Sequence, residues 1–190
     1  MEDFWRGSLF SERKLLLLGE SAFSWTNEDG DIVHPSPGHA RQSIEEVVQS
    51  GNAGGGFLQK LTRGLTASEN PTPEQVRNAW NRVAFANYVP GTVGVGPRVR
   101  PSIDMWANAA QGFLDLLERI GPSSVIVLGK TAWRKMPDAH LWLTDDVQGY
   151  KLKNERFAMC WALPHPSAGL GWRRLAQVIA FVTEGKIIEP

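Results

Sequence analysis

The chain has 190 residues, 42% of them hydrophobic, which suits one domain with a full apolar core. Twenty basic and twenty acidic residues cancel, so no global field draws the chain to nucleic acid, and any such binding must come from a local basic patch. A single cysteine excludes a disulfide scaffold, a four-cysteine zinc site and a four-cysteine iron–sulfur cluster, and it fits a reducing, cytoplasmic setting.

The opening segment, MEDFWRGSLFSERK, is charged and has no signal-peptide core. No apolar run approaches the length of a membrane span, so no membrane contact is expected. KLLLLG at 14–19 is nearly continuous rather than alternating, as expected of a strand buried on both faces. GESAF at 19–23 follows it. This is not a nucleophile elbow, because Phe23 stands where the second glycine must be. The polar stretch TNEDGDIVHPSPGHA, 26–40, reads as a loop and carries the first of two His-Pro-Ser sequences, at His34. HARQSIEEVVQSG predicts a helix with Ile44, Val47 and Val48 on one face and a glycine stop. GNAGGGF, 51–57, reads as a flexible segment.

TPEQVRNAWNRV predicts a short helix with Pro73 in its first turn. VAFANYV, 83–89, is the second strand. GTVGVGPR has three glycines but opens no helix, and it reads as a flexible loop. SIDMWANAAQGFLDLLERIG is the strongest helix, with Ser102 as N-cap and Trp106, Ala109, Phe113, Leu117 and Ile120 at helical spacing. SVIVLG at 124–129 and FAMCWAL at 157–163 are the third and fourth strands. PHPSAG at 164–169 holds the second His-Pro-Ser, at His165. A last helix is expected over roughly 172–183, through Leu175, Val178, Ile179 and Val182.

Strands alternating with helices imply an α/β sandwich around a mainly parallel sheet, in one domain over 1–190. Ligands of such sheets sit beyond the carboxyl ends of the strands. That rule puts Glu20, Asn87 and His165 on one rim, and it favours His165 over His34, which follows no strong strand. Each of the three also has a plain structural explanation. Glu20 is placed to cap a helix, Asn87 to satisfy a turn before Pro90, and His165 to be a hydrogen-bonded loop residue. Their joint placement is what points to a site. The chain has no phosphate-binding loop and no paired-cysteine deaminase signature, and its histidines are too scattered for a metal site.

The order of these motifs resembles that of the uracil-DNA glycosylase superfamily. LLLLGES is similar to its first motif, a strand ending in glycine and then an acidic or amide residue. FANYVPGTVG resembles the segment that carries the base-reading asparagine. FLDLLERIGPSSVIVLGKTAW resembles its long helix, proline turn and strand, and LPHPSAG its C-terminal His-Pro-Ser motif. The resemblance covers 14–183 and implies a three-layer αβα sandwich with a central four-stranded parallel sheet.

The resemblance also implies roles. Asn87 would hydrogen-bond the pairing edge of a base flipped out of DNA, since an amide offers a donor and an acceptor together. His165 would hydrogen-bond the pyrimidine O2 and hold the charge growing on the leaving base. Glu20 would stabilise the cationic sugar and position water. Phe23 is the first candidate for stacking on the base and Trp25 the second. Leu170 fits a wedge filling the vacated gap in the duplex. Ser167, Arg173 and Arg174 would meet phosphates, with Arg98 and Arg100 added from the loop after Asn87.

Many relatives have Asp-Pro-Tyr in the first motif. Here Ser21 stands at the aspartate position, which moves water activation to Glu20. Ser21 and Ala22 are small, where uracil enzymes keep a bulky residue against the C5 position of the ring. This leaves room for a larger base, and one antiviral branch of the superfamily removes glucosylated hydroxymethylcytosine from phage DNA. No lysine matches a catalytic position, so no Schiff-base step is expected. The implied protein is a monomeric, monofunctional DNA glycosylase without metal, cofactor or iron–sulfur cluster. Ser21 also keeps open a module that binds modified DNA or nucleotides without cleaving them. The eight tryptophans keep open a protein-interaction role.

Overall fold

A computed structural model describes residues 3–35, 38–96 and 99–184. The four expected strands form its centre: β2 (Leu15–Gly19), β5 (Val83–Asn87), β7 (Ser124–Leu128) and β10 (Phe157–Leu163). They lie in the order β5-β2-β7-β10 and are parallel throughout. Three antiparallel strands extend the sheet to seven. β1 (Trp5–Arg6) joins one edge, and the hairpin of β8 (Leu141–Thr144) and β9 (Val147–Lys151) joins the other. β1 and β8 form the two edges of the sheet, and β9 lies between β10 and β8 with Gln148, Gly149 and Tyr150 buried. All four residues of β8 are exposed.

The unbroken LLLL of β2 follows from burial on both faces. Leu15 and Leu17 pack into one apolar cluster, Leu16 and Leu18 into the other. The first cluster lies under four helices: α1 (His39–Ser50), α2 (Gly56–Thr66), α3 (Pro73–Asn81) and α6 (Trp172–Glu184). The second lies under α4 (Ile103–Ile120), which buries Trp106, Phe113, Leu117 and Ile120, and under the four-residue α5 (Lys130–Trp133). The result is a three-layer α/β sandwich. Ser102 caps α4 by accepting from the Met105 N–H, and Thr72 and Gln75 form a capping box on α3. No helix of the described residues is long and apolar enough to cross a membrane.

Two segments differ from the sequence expectation. GTVGVGPR contains a strand, β6 (Thr92–Val95). It pairs in parallel with β3 (Ala22–Thr26), which turns back through β4 (Ile32–Val33), so a small sheet in the order β4-β3-β6 accompanies the main one. The second segment is GNAGGGF. It ends in a helix, because Gly56 and Phe57 open α2, whose Leu61 and Leu65 are buried one turn apart. The glycine run hides a short amphipathic pattern that starts directly after it.

Candidate active site

Parallel strands deliver their carboxyl ends to one edge. Gly19 of β2 lies beside Asn87 of β5, Leu18 beside Val127 of β7, and Leu128 beside Leu163 of β10. The residues that follow therefore meet at one rim. Tyr88 N–H donates to the Gly19 carbonyl at 2.8 Å and Gly129 N–H to that of Leu163 at 3.0 Å, so the strand ends stay tied as they leave the sheet. Glu20, Asn87 and His165 line one cavity of about 1060 Å³ there.

Two glycines let these side chains converge. A Cβ on Gly19 would stand 2.5 Å from Asn87 Oδ1, so the amide occupies space that any other residue would fill. A Cβ on Gly129 would stand 3.7 Å from Glu20 Oε2 and 3.8 Å from His165 Cδ2. Gly129 therefore sits between the carboxylate and the imidazole. Its φ of +147° is one that side-chain-bearing residues rarely adopt.

Two contacts hold His165 and a third holds its loop. Its Nδ1 accepts the Ser167 N–H at 3.1 Å, as the cap of a short turn over Pro166–Ala168. Phe57 stacks on its ring at 5.4 Å between centroids and 20° between planes. Lys60 donates to the Pro166 carbonyl at 2.7 Å. With Nδ1 an acceptor, the neutral ring carries its proton on Nε2. Burial lowers the imidazole pKa. Glu20 opposes that shift, and Arg100 and Lys60 reinforce it. The imidazole is therefore biased toward the neutral Nε2–H donor.

Glu20 is 10% exposed in its side chain and pairs with Arg100, whose Nη1 donates to Oε1 at 2.6 Å. Arg100 is 65% exposed, so the pair adds little to stability. It does fix which oxygen is engaged, and Oε2 is the one on the Gly129 side.

Residues 12–183 match the family described as the uracil DNA glycosylase superfamily. The chain belongs to this superfamily. Among curated proteins, none matches the chain. The superfamily is one of DNA N-glycosylases, and its αβα sheet is the one described above.

The other residues expected from superfamily motifs fall in four different places. Ser21, Phe23, Trp25, Arg100 and Ser167 line the same cavity as the trio, and Phe23 and Trp25 are 39% and 41% exposed. Arg173 and Arg174 are exposed at the start of α6. Arg173 reaches Glu69 at 3.4 Å and covers the Trp172 ring, and Arg174 reaches Gln177. Arg98 lies outside the described residues. His34 is not part of the cavity lining, and its Nδ1 is 2.8 Å from the buried Ser24 Oγ.

Leu170 is a correction. A wedge must stand clear of the protein, but Leu170 is only 5% exposed and belongs to the core cluster of Leu175 and Ile179. Its neighbours Gly169 and Gly171 carry no side chains, so the apolar group turns inward as the start of the α6 packing. Leu170→Ala is therefore expected to cost about 2–5 kcal/mol of folding stability, measured as a lower urea midpoint. An unchanged midpoint would restore the wedge assignment.

Five residues of the site region were not anticipated. Phe57 and Lys60 come from α2, the helix concealed by the glycine run. The apolar spacing of Phe57, Leu58, Leu61 and Leu65 was the signal for it. His39 and Ser43 come from the cavity-facing side of α1. Lys130 also lines the cavity, directly after Gly129, with its ammonium paired to Asp146.

Proposed function

We propose that the chain is a monofunctional DNA glycosylase that hydrolyses the N-glycosidic bond of a flipped, uracil-like or modified pyrimidine and leaves an abasic site. The observation that carries this reading is the convergence of Glu20, Asn87 and His165 on one cavity at the carboxyl ends of parallel strands. Flipping is required because the bond is inaccessible inside a duplex. Asn87 pairs with the base edge. The C1′–N1 bond then breaks with both electrons passing to the base, and the sugar becomes cationic at C1′. The Nε2–H of His165 donates to O2, where part of the base's new charge resides. The second oxygen of Glu20 faces the cation and takes a proton from the water whose oxygen bonds to C1′. The departing base acquires its proton from solvent. Arg100, Ser167 and the arginines at the start of α6 meet the phosphates.

The small Ser21 and Ala22 favour a base enlarged at C5, such as glucosylated 5-hydroxymethylcytosine in phage DNA. No step requires a metal or cofactor, and the domain acts as a monomer. Two observations favour a second reading, a module that binds modified DNA without cleaving it: Arg100 pairs with Glu20, and Ser21 replaces the usual aspartate.

The deciding experiment uses oligonucleotides carrying uracil, 5-hydroxymethylcytosine or its glucosylated form. Strand breakage that appears only after hot alkali is the expected result. Breakage without alkali would indicate a lyase, and no breakage on any base would leave the binding module.

A further inference from the structure

His165, Phe57, Phe85 and Trp80 form one series of rings. Phe57 stacks on the imidazole at 5.4 Å and 20°, Phe85 lies 6.2 Å from Phe57 at 56°, and Trp80 stands edge-on to Phe85 at 6.2 Å and 89°. Trp80 Nε1 donates to Thr62 Oγ1 at 3.0 Å, which returns the series to α2. Phe85, Trp80 and Thr62 are buried. Phe57 therefore rests on a fixed array, whereas Phe23 and Trp25 are exposed.

The same array reaches Asn87. Phe85 precedes Asn87 by two residues on β5 and shares its face of the strand. A Cβ on Gly19 would stand 3.5 Å from Phe85 Cζ and 2.5 Å from Asn87 Oδ1, so one notch touches both. The imidazole and the amide thus share one aromatic support.

The imidazole gains most from it. The Ser167 N–H holds Nδ1, but one hydrogen bond fixes a point and not a plane. The histidine torsion about Cβ–Cγ is broad, so a ring held at Nδ1 alone can swing Nε2 out of line. A flat neighbour removes that freedom. It also keeps water off one face, and such burial disfavours the charged ring. Among the charged groups around the ring, Glu20 favours the cation, and Arg100 and Lys60 oppose it. Lys130, beyond Gly129, is paired to Asp146.

We propose that Phe57 is a positioning residue: seated on Phe85, it fixes the plane in which the Nε2–H of His165 faces the base. The proposal rests on the donor role given to His165 in the hydrolytic reading.

Two readouts test it, one of them independent of catalysis. NMR follows the His165 imidazole through a pH titration of the DNA-free protein. The chain has four histidines, and a His165→Gln spectrum assigns the signal. Single-turnover base release is measured across the same pH range. Phe57→Ala is expected to move the titration midpoint up and to start the acid fall in rate at higher pH than in the wild type. At neutral pH it should slow release about 10²-fold, as a small misplacement of a reacting group can. Phe57→Leu, apolar but not flat, should keep more of the midpoint than of the rate, and Phe57→Tyr should recover most of both. Phe85→Leu should act in the same direction as Phe57→Ala and add nothing in its presence. Thermal melts identify any variant that fails to fold, and the others then decide. A Phe57→Ala protein with the wild-type midpoint and rate, or a Phe57→Leu protein equal to the wild type in both, overturns the proposal. A midpoint that follows Phe57 in a protein that releases no base keeps the support of the imidazole and removes the hydrolytic reading instead.

Discussion

Replacing His165 with alanine is expected to slow single-turnover base release about 10²–10³-fold, the usual effect of deleting one donor that faces a developing oxyanion. Affinity for DNA should change much less, because phosphate contacts supply most of that affinity. The pH profile should carry the same signature. Burial holds the imidazole pKa below its ordinary value, so the rate should stay level as pH falls past about 6.5 and drop only at more acidic pH. There a proton on Nδ1 breaks the contact with the Ser167 N–H. Stability follows the same sign. The unfolded chain takes up this proton first, so stability rises with pH across the window between the two pKa values and is lost as pH falls through it. A rate that begins to fall above pH 6.5, or one indifferent to His165→Ala, would show that the neutral imidazole is not the donor.

Glu20→Gln keeps the shape of the side chain and removes its charge. It should lower the rate about 10²–10³-fold, within the span typical of general bases and electrostatic stabilisers. The substitution also frees Arg100, whose guanidinium is otherwise tied to Oε1. DNA binding should therefore be no weaker, and rapid-quench rates with parallel anisotropy titrations distinguish the two effects. A variant that keeps its rate would reduce Glu20 to a holder for Arg100. One that loses DNA affinity would mean that the ion pair shapes the DNA-binding surface.

The main sheet was legible because its central strands are buried on both faces. KLLLLG and SVIVLG are short, nearly continuous apolar runs, the pattern of strands covered on both faces. Once those strands are parallel, the rim positions of Glu20, Asn87 and His165 follow from topology, without any knowledge of side-chain contacts. What stayed hidden was local and amphipathic. The strand Leu141–Thr144 is only four residues long and is exposed along its whole length although three of the four are apolar, so neither length nor burial sets it apart. Helix α2 begins inside a glycine run whose composition suggests a loop, so Phe57 and Lys60 were missed although both reach the loop of His165. The orientation of Leu170 depends on how α6 meets the sheet, which no short motif encodes. The pairing of Arg100 with Glu20 joins residues eighty positions apart and is equally invisible in the chain order.

The bracing of the His165 loop by Phe57, Lys60 and the Ser167 amide has a kinetic corollary. Under the proposed hydrolysis of a flipped base, a loop braced in this way leaves most of the large-amplitude motion of a turnover to the nucleic acid. Firmly paired targets then wait on their own breathing, while frayed, mismatched or unpaired ones surrender sooner. Preference among sequence contexts is in that case set by the polymer that must open, and the pocket judges only what reaches it.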